Sequence, residues 1–205
     1  MIDFNNVNII GLTGMSGAGK STVSQFFEEN GFYKVDCDKT ANRVIARPPC
    51  VDEVRVRFPE MFMNGGFDRK KAGAAVFRDS SKLEEYQKTV FPYVVYEILD
   101  IIEKSKSRNI LLDASTLFQS GADDFCGRII AVVADKQICV SRIIKRDGIT
   151  EESALMRLMN QPDEDFFRKN ADCIIENNKG LENLTQAIRV CNSNGFLEKN
   201  NTAWR

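Results

Sequence analysis

Histidine is absent from all 205 residues of the chain, and that absence removes whole classes of chemistry. No Ser-His-Asp or Cys-His nucleophile can be assembled and no histidine metal site can form, so acid–base work falls to carboxylates, lysine or water. The six cysteines, Cys37, Cys50, Cys126, Cys139, Cys173 and Cys191, include no CxxC pair. This argues against a zinc site or a redox couple and leaves most of them as reduced thiols packed like small apolar residues. Neither sign of charge is in excess, with 28 Lys and Arg against 29 Asp and Glu. Bulk attraction to nucleic acid or to a membrane surface is therefore not expected, and anionic ligands must be held by local clusters. No apolar run is long enough to span a bilayer, and residues 1–6 lack the basic start and apolar stretch of a secretory signal, which points to a cytoplasmic protein. The single tryptophan, Trp204, lies in a polar tail.

What the chain does have is one dense motif. Residues 14–21, Gly-Met-Ser-Gly-Ala-Gly-Lys-Ser, match the phosphate-loop pattern GxxxxGK[ST] at all four fixed positions. A short apolar run, residues 7–13, precedes it and reads as a buried strand. Val23, Phe26 and Phe27 follow at helical spacing. Glycines allow successive backbone N–H groups to turn inward on a phosphate chain, and the first turn of the following helix adds its positive end. Gly14, Gly17, Ala18, Gly19, Lys20, Ser21 and Thr22 are therefore the candidate nucleotide-binding loop. Lys20 would reach the β and γ phosphates, and the Ser21 hydroxyl would ligate a magnesium ion bridging them. The glycines fall as GxxGxG rather than GxGxxG, so a dinucleotide fingerprint fits poorly.

Length and composition suit one domain over residues 1–205. A second strand over residues 32–36 ends in Asp36 and Asp38. Ligands of open α/β sheets collect at the carboxyl ends of strands, which puts both acids beside the loop. Asp38 is the candidate base for an attacking hydroxyl; Asp36 is read evenly as a site residue or as the cap of a helix over residues 39–46. Helical patterns over residues 69–77 and 82–104, the second interrupted near Pro92, make residues 50–106 a helical insertion suited to binding an acceptor. Its aromatic residues, Phe58, Phe62, Phe67, Phe77, Tyr86, Phe91, Tyr93 and Tyr96, read as core rather than as a base-stacking platform. Residues 109–113 form a buried strand ending in Asp113, the Walker B arrangement that supports a metal through its water shell. A strand over residues 128–133, a helix over 136–146, a strand over 171–176 and a last helix over 181–191 complete the pattern. Residues 147–168, with Thr150 as a helix cap, read as a lid carrying Arg157 beside Arg146, or as a solvated helix face. The fold expected is α/β of the P-loop type, three layers with helices on both faces of a parallel sheet of about five strands.

Taken together, these segments resemble the dephospho-coenzyme A kinase family from about residue 9 to residue 190. The matching stretches are residues 11–14 running into 17–22, Val35-Asp36-Cys37-Asp38, Phe67-Asp68-Arg69, Val76-Phe77, residues 142–148, residues 157–161 and residues 171–177. The resemblance implies phosphorylation of the ribose 3′-hydroxyl of dephospho-CoA, with ATP and Mg2+ as cofactors and no nucleic-acid partner. It carries Asp38 onto the catalytic base and Arg142 onto an arginine that stabilises the transferred phosphoryl group, and places Asn177 and Lys179 in the loop holding adenine. Arg69 and Phe77, with Asp36 and Asp113, form the implied acceptor-binding set. Departures concentrate on the acceptor side: Phe91-Pro92 stands where the family has His-Pro, and the family's Asp-x-Pro-Leu-Leu-Phe-Glu becomes residues 113–119, Asp-Ala-Ser-Thr-Leu-Phe-Gln. Ala72 and Gly73 replace a leucine and an arginine. An intact nucleotide site with a retuned acceptor pocket is expected. The alternatives are a kinase of another nucleotide-like or small hydroxyl acceptor, and a nucleotide-binding switch without turnover.

Overall fold

Apolar runs without polar alternation make strands that must be covered on both faces, and the computed structural model covers them with helices. It describes residues 6–76 and 79–179, apart from the side chain of Arg69. In chain order the elements are β1 (Asn8–Gly14), α1 (Lys20–Glu29), β2 (Tyr33–Asp36), α2 (Cys37–Ile45), α3 (Cys50–Arg57), the two-residue strands β3 (Phe62–Met63) and β4 (Gly66–Phe67), α4 (Arg69–Val76) and α5 (Ser80–Ser105). Then follow β5 (Asn109–Asp113), β6 (Arg128–Val133), α6 (Lys136–Asp147), α7 (Glu151–Met159), α8 (Glu164–Asn170) and β7 (Cys173–Glu176).

Five strands form one parallel sheet in the order β2-β5-β1-β6-β7. Alternate residues of the strands feed two cores. Ile10, Leu12, Leu111 and Ile130 meet Phe27 of α1, Cys139 and Ile143 of α6, Leu158 of α7 and Phe167 of α8 on one face. Ile9, Val35, Ile110 and Leu112 meet Val54, Phe58, Val94, Ile98 and Ile102 from the insertion on the other. The sheet is thus sandwiched between two helical layers, as expected, and the carboxyl ends of its strands lie along one edge, with Asp36 in register with Asp113 and Leu12 with Asp113.

The insertion differs from the sequence reading in three ways. Helix α5 is continuous through Pro92. Pro92 faces solvent, and so does Lys88, whose carbonyl loses its hydrogen bond to water rather than to the core. Helix α3 was not anticipated, although Cys50, Val51, Val54 and Phe58 are buried at helical spacing. The hairpin of β3 and β4 turns at Asn64-Gly65 and clasps Phe62 edge-on against Phe67, ring centroids 5.6 Å apart. Phe58, Phe62, Phe67, Tyr86 and Tyr93 do pack as core, Phe58 against Tyr86 among them, whereas Tyr96 is 74% exposed. Four of the cysteines, Cys37, Cys50, Cys126 and Cys139, are free thiols; Cys173 is disulfide-bonded. The last helix, the tail with Trp204, Cys191 and Phe77 lie outside the described residues.

Candidate active site

Strand β1 runs into helix α1 through five residues that fold back on themselves. Met15 N–H donates to Val132 O and Ala18 N–H to Met15 O, both at 3.0 Å. Two glycines make this path possible. Gly14 has φ 139°, and a Cβ there would stand 2.1 Å from Val132 O; Gly17 has φ 82°, with its Cβ position 2.6 Å from Cys139 O. Both neighbours are backbone and cannot yield. Gly19 occupies the N-cap of α1 with no side-chain cap and no acidic residue in the first turn. The leading amides of α1 are left to whatever anion arrives.

The loop is held from behind by Arg142 and Asn177. Arg142 of α6 donates to Gly17 O at 3.3 Å, Ala18 O at 3.4 Å and Asn177 O at 3.0 Å. Asn177, 6% exposed, donates its Nδ2–H to Ala18 O at 2.7 Å. A trans peptide directs its C=O and the following N–H to opposite sides, so drawing the Ala18 carbonyl back turns the Gly19 N–H forward. Arg142 and Asn177 thus orient the Gly19 amide. Beyond them Asn178 and Asp135 form a paired contact, Asp135 N–H to Asn178 Oδ1 and Asn178 Nδ2–H to Asp135 Oδ1, each 2.8 Å. Lys179 is exposed at this rim.

In front of the loop, Lys20 Nζ forms an ion pair with Asp113 Oδ1. Asp36 is the N-cap of α2: its Oδ1 accepts Lys39 N–H at 2.9 Å and its Oδ2 meets Lys39 Nζ at 2.9 Å. Burial pushes its carboxyl up, but the Lys39 amide and ammonium more than offset this and hold its pKa below the usual value. Asp36 thus caps α2. Asp38, in the first turn of α2, accepts the Ser115 hydroxyl at 2.8 Å and the Ser115 N–H at 3.4 Å on one oxygen, Oδ1. Sequence reasoning missed Ser115, counting that position only as a lost proline, whereas a serine gains two donors that proline lacks. Cys37 lies between the acids; burial and then the nearby Asp38 and Asp113 push its thiol up to about 12. It stays protonated at neutral pH and offers no competing nucleophile.

Arg146 and Arg157 converge on one carboxylate. Asp147 accepts Arg146 Nε–H at 2.8 Å and its NH2 group at 2.9 Å, and pairs with Arg157. The Arg146 hydrogen bond first, and then Arg157, hold the Asp147 carboxyl down at about 2. A depressed carboxylate pKa contributes stability that is present above the unfolded value near 4 and is lost as pH falls toward 2. The two arginines are therefore expected to stay paired with Asp147 from pH 7 to pH 5 and to lose that partner between about pH 4 and 2. Hydrogen exchange of the α7 amides across that range checks this; loosening already at pH 5 would contradict it. The capping Thr150 is as expected, its Oγ1 accepting Ser153 N–H at 3.2 Å. Of the acceptor set, Arg69 opens α4, where Ala72 is buried. Ser21 and Thr22 lie in the first turn of α1, Ser21 exposed. Among the described residues no group of three His, Cys, Asp or Glu side chains could hold a metal, and no helix is long and apolar enough to cross a membrane.

A glycine loop opening a helix, with Asp113 on its lysine and a second acid one strand away, is the geometry of a phosphotransferase, and the family model of dephospho-CoA kinase matches residues 8–183. The chain belongs to the dephospho-CoA kinase family. A dephospho-CoA kinase of Fusobacterium nucleatum is 36% identical over 189 residues, covering 91% of this chain and 98% of its own length. One of Arabidopsis thaliana is 34% identical, covering 88% and 80%. Among solved structures, TT1252 from Thermus thermophilus is 30% identical with a TM-score of 0.80, over 92% of this chain and 98% of its own. A shikimate kinase from Acinetobacter baumannii, at 15% identity and a TM-score of 0.55 over 96% and 98% of the two chains, shares the fold alone. The dephospho-CoA kinases are phosphotransferases that use ATP, so membership agrees with the chemistry of the loop.

Proposed function

We propose that the protein transfers the γ-phosphoryl group of ATP to the ribose 3′-hydroxyl of dephospho-CoA, giving CoA and ADP, in the cytoplasm. The observation that carries this reading is the phosphate loop after β1 with Asp38 held just past the end of β2, on the far side of β5, in a chain of this family. Residues 14–22 bind the phosphate chain through backbone amides and the Lys20 ammonium. Lys20 exchanges Asp113 for phosphate oxygens as the nucleotide enters, which frees the Asp113 carboxylate. Hydroxyl and carboxylate oxygens, with no histidine in the chain, are donors suited to Mg2+, and Ser21 and Asp113 would hold it together with the phosphates and water. When bound, the ion neutralises charge on the β and γ phosphates.

Asp38 takes the proton of the 3′-hydroxyl as the new O–P bond forms and the bond to ADP breaks. Ser115 holds one carboxylate oxygen, leaving the other for the acceptor. Arg142 keeps the loop amides aligned and brings positive charge to the phosphoryl group. Residues 147–168 act as the lid: Arg146 and Arg157 exchange Asp147 for the nucleotide, with Asn177 and Lys179 at the adenine rim, and closure excludes water that would otherwise be phosphorylated. Residues 50–106, including Arg69 and Phe77, receive the acceptor together with Asp36. A panel of acceptors under fixed ATP tests the assignment. Dephospho-CoA should be preferred over adenosine nucleotides lacking the pantetheine arm and over shikimate. Preference for an acceptor without that arm would move the reading to another kinase, as the substitutions at Phe91, Gln119, Ala72 and Gly73 would then imply.

A further inference from the structure

Gln161 lies between α7 and α8, in the segment joining the two helices of the proposed lid, yet its side chain reaches the phosphate loop. Ser16 N–H donates to Gln161 Oε1 at 3.1 Å. That bond decides which end of the carboxamide is which, because the flipped group would set its NH2 against another N–H donor. The other end, Nε2, is buried and meets no acceptor among the described residues. Two N–H donors are thus left over, in a setting where native structures rarely leave buried donors unmade. Arg142 and Asn177 meet the loop at its Gly17 and Ala18 carbonyls, whereas Gln161 meets it at an amide, the Ser16 N–H. The unmade donor thus belongs to a side chain already fixed to the loop between β1 and α1.

We propose that Gln161 is a phosphate-binding residue of the nucleotide site. Its Oε1 stays on Ser16 N–H while Nε2 donates to a phosphate oxygen of ATP, so an occupied site fastens the α7–α8 segment to the loop. The sequence motif of residues 157–161 thereby gains a purpose that the arginine alone did not give it. The inference rests on the loop being an ATP site, and its test separates the two ideas.

Gln161→Glu keeps an oxygen for Ser16 N–H but replaces the donor with negative charge, and Gln161→Ala removes both ends. ATP is titrated directly into the wild-type protein and both variants, and each nucleotide-free protein is melted. ATP binding is expected to weaken at least about tenfold in Gln161→Glu and about three- to tenfold in Gln161→Ala. The melts of the nucleotide-free proteins read any loosening of the empty loop separately from the loss of ATP affinity. Wild-type affinity in Gln161→Glu would overturn the inference alone, leaving Gln161 as a brace of the empty loop. Failure of the wild-type protein to bind ATP would overturn the phosphotransfer reading and this one with it.

Discussion

Asp38→Asn is expected to lower the turnover of dephospho-CoA by about a hundred- to ten-thousandfold, the range general-base groups contribute, while the KM for ATP stays close to that of the wild type. The split follows from the contacts of this side chain. An asparagine keeps an Oδ1 that accepts from the Ser115 hydroxyl and N–H, as the carboxylate does at 2.8 and 3.4 Å, so the group stays in place and loses only its basicity. The loop that binds ATP is built from other elements and should not notice. Full turnover in Asp38→Asn would remove Asp38 from the base role. A rise in the KM for ATP comparable to the fall in kcat would mean that the residue supports the nucleotide site instead.

The largest effect on stability is expected at Gly14. An alanine there would put its Cβ 2.1 Å from the carbonyl oxygen of Val132 at a φ of 139°, in the centre of the sheet, where β1 and β6 are buried beyond their first residues. Neither strand can retreat without opening the ladder. The cost should be at least about 3 kcal/mol, combining backbone strain with overlap, a large share of the 5–15 kcal/mol that about spans whole-domain stabilities. In a chain of this size that lowers the melting temperature by roughly 6–12 °C. Gly31→Ala is the comparison, because Gly31 also has positive φ, +85°, but nothing lies within 4 Å of its Cβ position. It should cost only about 1 kcal/mol, for strain alone. Similar losses at the two glycines would mean that the contact with Val132 is not what requires Gly14.

The nucleotide side of the site was legible in the sequence because phosphate binding is done by local backbone. Residues 14–21 specify their own turn, and the strand before and helix after follow from apolar spacing that depends on no distant partner. The parallel sheet was legible for the same reason, its strands being runs such as Asn109–Asp113 and Arg128–Val133 that only burial on both faces explains. What could not be read was which side chains from distant segments meet at the loop. Arg142 and Asn177 were picked out by family resemblance, but that they share the Ala18 carbonyl depends on α6 and the residue after β7 both reaching the loop, which no local pattern encodes. Ser115 and Gln161 reach Asp38 and Ser16 from 77 and 145 residues away. Within the insertion, Pro92 suggested a break because propensity is a local quantity. The burial of Val90, Val94, Ile98 and Ile102 along one side of α5 overrides it.

Phosphorus NMR of the product formed from ATP and dephospho-CoA tests the central claim most directly, since it reports both that a phosphoryl group has moved and to which hydroxyl. The account predicts one new phosphomonoester, on the ribose 3′ oxygen, appearing mole for mole with ADP and dependent on dephospho-CoA. Inorganic phosphate and ADP without a new ester, or an ester on a different hydroxyl, would contradict it.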